Sequence, residues 1–165
     1  MKNVEIERKY LIKKLPDNLA EYESHLIEQA YLCTDPTIRV RKSDDDYYMT
    51  YKGRGLLERT EYNLPLNRDA YEKLVKKAEG NIIEKTRFRI PDRNGLTIEL
   101  DLFHGAFEGF VMAEVEFPDL AAAESYIPPV WFGKEVTSDP RFQNASLSRM
   151  DQDSIRVFMT LLTIS

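Results

Sequence analysis

Charged and apolar residues alternate along the first segment of the chain, from Val4 to Lys9. Side chains of a β-strand alternate between its two faces, so Glu5, Glu7 and Lys9 share one face with about 6–7 Å between successive members. Val4 and Ile6 point to the other face. Such a strand needs an apolar layer on one side and water or a ligand on the other. For one strand alone, a solvated outer face is sufficient to explain these three aligned charges.

The same alternation returns on most later segments that read as strands. Each pairs an apolar face with a charged one, and most carry charge of mainly one sign. The charged positions are Arg39 and Arg41, Lys52, Arg59 with Glu61, Lys85 with Arg87 and Arg89, Glu99 with Asp101, and Glu114 with Glu116.

Eight strands of this kind can form an open sheet with one wet face, or close into a barrel with the charges inside. Alternation alone leaves both architectures open. In a closed barrel, so many unpartnered ions would be prohibitive, so the bore would have to hold water and a ligand. Arginine suits phosphate oxygens, and pairs of carboxylates suit hard divalent cations such as Mg²⁺ or Mn²⁺.

The chain is predicted to be one α+β domain, residues 1–165, with a few helices among the strands. Helices are expected at 17–24, 67–78, 119–126 and 151–162. Strands are expected at 3–12, 27–33, 37–43, 46–53, 57–65, 82–91, 95–103 and 110–117.

Composition limits the classes of partner and compartment. The net charge is −5 and the basic residues are mixed with acidic ones, which argues against a nucleic-acid surface. The single cysteine, Cys33, excludes an internal disulfide and favours the reducing cytoplasm. The charged N-terminal segment does not read as a signal peptide, and no apolar run is long enough to span a membrane.

Taken together and in order, the charged motifs resemble those of the CYTH domain of the triphosphate tunnel metalloenzymes. ExExK at residues 5–9 is a weak motif alone, but seven ordered charge patterns with compatible spacing are specific. Residues 133–137 and 142–147 also resemble the C-terminal stretch of short bacterial members. The resemblance spans nearly the whole chain.

The resemblance implies an eight-stranded antiparallel closed barrel, with flanking helices and a C-terminal helical plug formed by residues 141–147. It implies two Mg²⁺ or Mn²⁺ ions, one held by Glu5 and Glu7 and the shell completed by Glu114 and Glu116. Asp101 is a further candidate ligand. The expected catalytic residues are Glu5, Glu7, Lys9, Glu114 and Glu116.

A triphosphate would lie along the axis of the tunnel. Structural ion pairs are the favoured interpretation of Arg59, Arg89 and Glu99, although Arg59 stays among the substrate candidates. Ser146 and Ser148 are weaker candidates for facing the phosphates. The expected substrate-binding residues are Lys9, Tyr31, Arg39, Arg41, Lys52, Arg59, Glu61, Lys85 and Arg87.

The function expected from this resemblance is metal-dependent hydrolysis of the terminal phosphoanhydride of inorganic tripolyphosphate or a related triphosphate. No covalent nucleophile is needed, because positioning and electrostatic stabilisation dominate phosphoryl transfer. Three alternatives stay open: a class IV adenylate cyclase that makes cyclic AMP, a thiamine triphosphatase, and a binding module without turnover. The oligomeric state is also open, and outer apolar groups are compatible with a homodimer.

Overall fold

The computed structural model describes residues 3–164, which form nine β-strands, four α-helices and several short 3-10 turns. The strands are β1 Val4–Ile12, β2 Glu23–Thr34, β3 Thr37–Ser43, β4 Asp46–Lys52, β5 Glu58–Leu66, β6 Glu79–Pro91, β7 Thr97–Phe103, β8 Val111–Glu116 and β9 Phe132–Glu135. The helices are α1 Arg68–Val75, α2 Leu120–Ser125, α3 Asn144–Ser148 and α4 Gln152–Ile164.

The strands form one antiparallel sheet in the order β5-β4-β3-β2-β6-β7-β8-β1-β9, and β5 also pairs with β1. This last pairing closes the sheet into a barrel of eight strands. It is short, running from Val4 opposite Thr60 to Ile6 opposite Glu58. Further along β1, β9 takes over the same edge, pairing at Tyr10 and Ile12. The predicted closed barrel is confirmed, and the extra strand β9 was not predicted.

Helices cover part of the apolar outer face of the barrel. Helix α1 contributes Tyr71, which packs with Ala30 of β2 and Val40 of β3. Helix α2 contributes Ala123 to a second cluster that includes Val115 of β8. These two helices bury part of the apolar outer face, while Leu26, Tyr62 and Leu64 stay exposed on it. The charged sides of the strands face inward.

One end of the barrel is filled by apolar residues instead of charges. By the register of their strands, Tyr31, Phe103 and Met112 continue the inward positions of Gln29, Asp101 and Glu114. They pack against Leu147 of α3 and other residues of the C-terminal segment, including Phe142 and Phe158. The C-terminal helical plug is therefore confirmed.

The helix expected at 17–24 was wrong. Only Leu19–Glu21 form a single 3-10 turn, and β2 begins at Glu23. Pairing of Glu23 with Arg89 and of His25 with Arg87 extends the β2–β6 ladder across these residues. Tertiary pairing thus outweighs the local helix signals at Pro16 and Asp17. No helix in residues 3–164 is both long and apolar enough to cross a membrane.

A glycine at the start of β6 allows the plug to approach the barrel. Gly80 has a φ of +76°, and a Cβ there would overlap the carbonyl oxygen of Ser148 in α3. Gly95 has a similar φ of +72°, but a Cβ there would meet no atom within 4 Å. The two positions therefore separate backbone strain from steric conflict with the plug.

We predict that Gly80→Ala destabilises the protein more than Gly95→Ala. Both substitutions carry the left-handed backbone penalty of about 1–2 kcal/mol, and Gly80→Ala adds roughly 1–3 kcal/mol for displacing α3. Chemical denaturation of both variants measures the difference. Equal losses of stability would contradict the close packing of α3 against β6.

Candidate active site

A cavity of about 400 Å³ lies inside the barrel and receives side chains from all eight barrel strands and from α3. Seven basic and six acidic side chains line it. The charged ones are Glu5, Glu7, Lys9, Arg39, Arg41, Lys52, Arg59, Glu61, Lys85, Arg87, Glu99, Glu114 and Glu116, and the uncharged ones are Thr37, Tyr31, Tyr48, Asn63, Gln143, Asn144 and Ala145. The expected catalytic, substrate-binding and metal-binding residues are all brought together here except Asp101, and the weaker candidates Ser146 and Ser148 do not line the cavity.

Four glutamates, Glu5, Glu7, Glu114 and Glu116, form an acidic group on the adjacent strands β1 and β8. Glu7 lies directly opposite Glu116 in the ladder, and Glu114 lies opposite Lys9. Like charges facing one another across a ladder are unfavourable. The sequence pattern of these strands therefore places repulsion at one side of the bore.

Burial, and then the charge of nearby carboxylates, raise the pKa values of two members. Burial, and then the charge of Glu114, raise the pKa of Glu7 to about 7, although Lys9 opposes the shift. Burial, and then Glu5 and Glu61, raise the pKa of Glu116 to about 7. Burial also disfavours ionisation of Glu114, but Arg87 and Lys9 hold its pKa well below the usual range. Negative charge on this side is thus only partly compensated by protein cations.

The acidic group fits divalent cations by its chemistry. Carboxylate oxygens are hard donors, and crowded carboxylates with raised pKa values gain from a bound cation. No three acidic, histidine or cysteine side chains of residues 3–164 form a ready-made cage. Glu5 instead accepts hydrogen bonds from Lys52 Nζ, at 3.1 Å to each oxygen. Mg²⁺ usually keeps several waters and shares substrate phosphates, so it needs only a few carboxylates.

Four cations, Arg39, Arg41, Lys85 and Arg87, form a basic wall on β3 and β6. Buried Arg39 donates from Nη2 to Thr50 Oγ1 at 2.9 Å, and its Nε has no hydrogen-bond partner in the described part of the chain. Burial, and then Arg41, lower the pKa of Arg39. An unpartnered buried donor beside a second guanidinium indicates a place for an anion.

Asp101 lies beneath the basic wall and does not line the cavity. Its carboxylate accepts hydrogen bonds from Lys85 Nζ at 2.8 Å and from Arg87 Nε and Nη2 at 2.7 Å each. Burial lowers the pKa of Lys85 to about 8, and Asp101 opposes that shift. Both carboxylate oxygens are engaged by cations, which separates Asp101 from the acidic group and from its expected place among the metal ligands.

Arg59, Arg89 and Glu99, for which ion pairing was the favoured interpretation, do make ion pairs. Arg59 Nε lies 3.4 Å from Glu5 Oε1. Glu99 accepts from Arg87 at 3.0 Å and from Arg89 at 3.2 Å. Because Arg59 and Glu99 also line the cavity, ion pairing does not remove either one from reach of a ligand.

Uncharged residues of the site were missed in the sequence, above all Gln29 and Asn144. Asn144 precedes Ser146 and Ser148, the two serines that were expected to face the phosphates. Ser146 Oγ donates to Pro140 O at 2.8 Å, and Ser148 Oγ donates to Ala145 O at 2.6 Å. The inward position of Gln29, two residues before Tyr31 on β2, is the signal that would have found it.

Comparison with known proteins agrees with this geometry. The CYTH domain model matches residues 3–125. The chain is 41% identical over 150 residues to an inorganic triphosphatase of Nitrosomonas europaea, covering 87% of this chain and 96% of that protein. It is 38% identical over 149 residues to an inorganic triphosphatase of Acetivibrio thermocellus, covering 87% and 92% respectively. A crystal structure of an inorganic triphosphatase matches with a TM-score of 0.67 and 37% identity, covering 89% of this chain and 95% of that one.

We predict that Glu7→Gln stabilises the metal-free protein at alkaline pH. The pKa of Glu7 is about 7 when folded, against the ordinary value of 4.5. The folded state therefore binds more protons than the unfolded state between these values, and stability falls as pH rises through that window. Glutamine removes this loss.

Thermal unfolding with a chelator at pH 4 and pH 8 tests the prediction. The advantage of Glu7→Gln over the unmodified chain should be larger at pH 8. An equal or smaller advantage at pH 8 would show that the Glu7 charge is already compensated by the protein.

Proposed function

Because this chain belongs to the CYTH domain family, we propose that it is a divalent-metal-dependent hydrolase that cleaves the terminal phosphoanhydride of inorganic tripolyphosphate. One observation carries this proposal: a basic wall with an unpartnered arginine donor and an under-compensated acidic group line the same bore. A metal–triphosphate complex carries the complementary charges. The names of the relatives point to the same activity.

The basic wall would hold the phosphate chain. Arg39 and Arg41 offer planar forks that match phosphate oxygens, and Lys85 adds a compact charge on the neighbouring side. Asp101 fixes Lys85 and Arg87 in place before substrate arrives. Charges fixed in advance stabilise the loose transition state of phosphoryl transfer without reorganising during the reaction.

Glu5, Glu7, Glu114 and Glu116 would hold Mg²⁺ or Mn²⁺, with two ions per site. When bound, the metal neutralises phosphate oxygens and supplies an activated water. A glutamate of β8 is the proposed acceptor of the proton of the attacking water. Lys9, whose Nζ lies 3.5 Å from Glu7 Oε1, adds positive charge between the acidic group and the substrate.

The lining of the cavity favours an inorganic chain over an organic triphosphate. A nucleobase or thiamine would need apolar or aromatic surface to stack on. Among the described residues, the cavity offers only Tyr31, Tyr48 and Ala145 of that kind. Adenylate cyclase and thiamine triphosphatase activity are therefore the alternatives that the following assay distinguishes from tripolyphosphate hydrolysis.

Phosphate release from tripolyphosphate, ATP and thiamine triphosphate, each with Mg²⁺ or Mn²⁺, tests the proposal. Tripolyphosphate should give the highest kcat/KM, and a chelator should abolish turnover. Cyclic AMP as the main product from ATP would overturn the hydrolase assignment. A higher kcat/KM for thiamine triphosphate would overturn the assignment of tripolyphosphate as the substrate.

We predict that Glu5→Gln lowers kcat by roughly 100-fold or more while the fold is kept, the scale of losing one electrostatic contact in a transition state. Glutamine keeps the shape but removes the charge needed for a cation. Steady-state kinetics and thermal unfolding measure the two effects. Glu58→Gln, on the exposed part of β5, is the control and should behave like the unmodified chain. Normal turnover in Glu5→Gln would refute the metal assignment.

We predict that Arg39→Ala mainly weakens substrate binding. Losing charge-assisted hydrogen bonds of about 1.5–3 kcal/mol corresponds to a roughly 10- to 100-fold higher KM. Arg54→Ala, which removes an exposed arginine paired with Asp35 outside the cavity, is the control. An unchanged KM in Arg39→Ala would place the phosphates away from β3.

A further inference from the structure

The helical plug is joined to the basic wall through one amide side chain. Asn144 begins α3 and lines the cavity. Its Oδ1 accepts hydrogen bonds from Lys85 Nζ at 3.0 Å and from Gln29 Nε2 at 3.1 Å. The C-terminal segment therefore contacts a cation of the site directly, in addition to filling the end of the barrel.

The orientation of the Asn144 amide follows from chemistry. A lysine ammonium carries only donors, so the oxygen of Asn144 must face Lys85. The amide nitrogen then points away from Lys85, and it donates no hydrogen bond to any described residue. Asn144 is half-buried and lines the cavity, which leaves this donor available to a ligand there.

Gln29 extends the contact to a second cation. It is fully buried, and its Oε1 accepts from Arg41 Nε at 2.9 Å, which fixes its orientation because a guanidinium cannot accept. Its nitrogen donates to Tyr31 OH at 2.8 Å as well as to Asn144. The amides of Gln29 and Asn144 therefore orient two cations without neutralising either one.

We propose that Asn144 is a further substrate-binding residue, whose amide nitrogen donates to the deepest phosphoryl group while its oxygen positions Lys85 and, through Gln29, Arg41. The C-terminal segment thereby completes the oligophosphate site. This inference rests on the proposed function, because it presumes a phosphate chain in the bore. Apolar residues beyond Asn144, including Ile83 and Phe103, make this the closed end of the bore.

Calorimetric titration of tripolyphosphate into metal-free protein tests the inference without relying on turnover. Asn144→Ala should raise Kd about 5- to 10-fold, the scale of one neutral hydrogen bond. Ser146→Ala changes the same helix outside the cavity and should leave Kd unchanged. An unchanged Kd in Asn144→Ala would overturn the proposal.

Asn144→Asp separates substrate contact from a structural role. Aspartate keeps the size of the side chain and an acceptor for Lys85, but it loses the donor. A purely structural residue would tolerate the change, with an unfolding temperature at or above that of the unmodified chain and a rise in Kd no larger than repulsion by one added charge produces. We expect the unfolding temperature to be kept and Kd to rise more than 10-fold.

A charge-matched control distinguishes the lost donor from general repulsion. Gln143→Glu adds the same charge at the adjacent cavity residue, so Asn144→Asp should raise Kd more than Gln143→Glu does. Equal rises in Kd for the two variants would overturn the proposed hydrogen bond from Asn144 to the phosphate chain. If the unmodified chain neither binds tripolyphosphate nor cleaves it with Mg²⁺ present, the proposed function fails as well. If it binds and cleaves tripolyphosphate while the Asn144 variants match it, only this inference fails.

Discussion

The short pairing of β1 with β5 is the constraint on which the rest of the structure depends. Without it, the charged faces of eight strands would be one wet surface, and their ions would be screened by water. With it, the same residues surround a bore that brings the carboxylates of β1 and β8 together with the cations of β3 and β6, and Arg87 Nη2 lies 3.4 Å from Glu114 Oε2. Closing the sheet turns an ordinary alternation of polar and apolar residues into a site of strong, fixed electrostatic field.

Burial of so many ions is tolerated because most of them are paired. Asp101 holds Lys85 and Arg87, and Lys52 and Arg59 hold Glu5. The groups whose pairing is incomplete, Glu7 and Arg39 Nε, indicate where a ligand would bind. These residual conflicts lower the stability of the metal-free protein, and a cation together with an anion would relieve them. Conflicts of this kind are typical of functional sites.

Sequence alternation was sufficient to predict most of the strands, the inward residues and the sign of their charge. It did not predict closure, which the resemblance supplied. Asp101 shares the alternation of Glu99, yet depth in the barrel and the reach of Lys85 and Arg87 decide its partners. Gln29 and Asn144 come together only through tertiary packing of α3 on β2 and β6. Local helix signals after Pro16 were outweighed by strand pairing.

A crystal structure of the protein with tripolyphosphate and Mn²⁺ tests the central claim most directly. The account predicts electron density for the phosphate chain along the bore, in contact with Arg39, Arg41 and Lys85, and metal density beside Glu5 and Glu7. Tripolyphosphate bound on the outer surface, with the bore occupied by water alone, would contradict it.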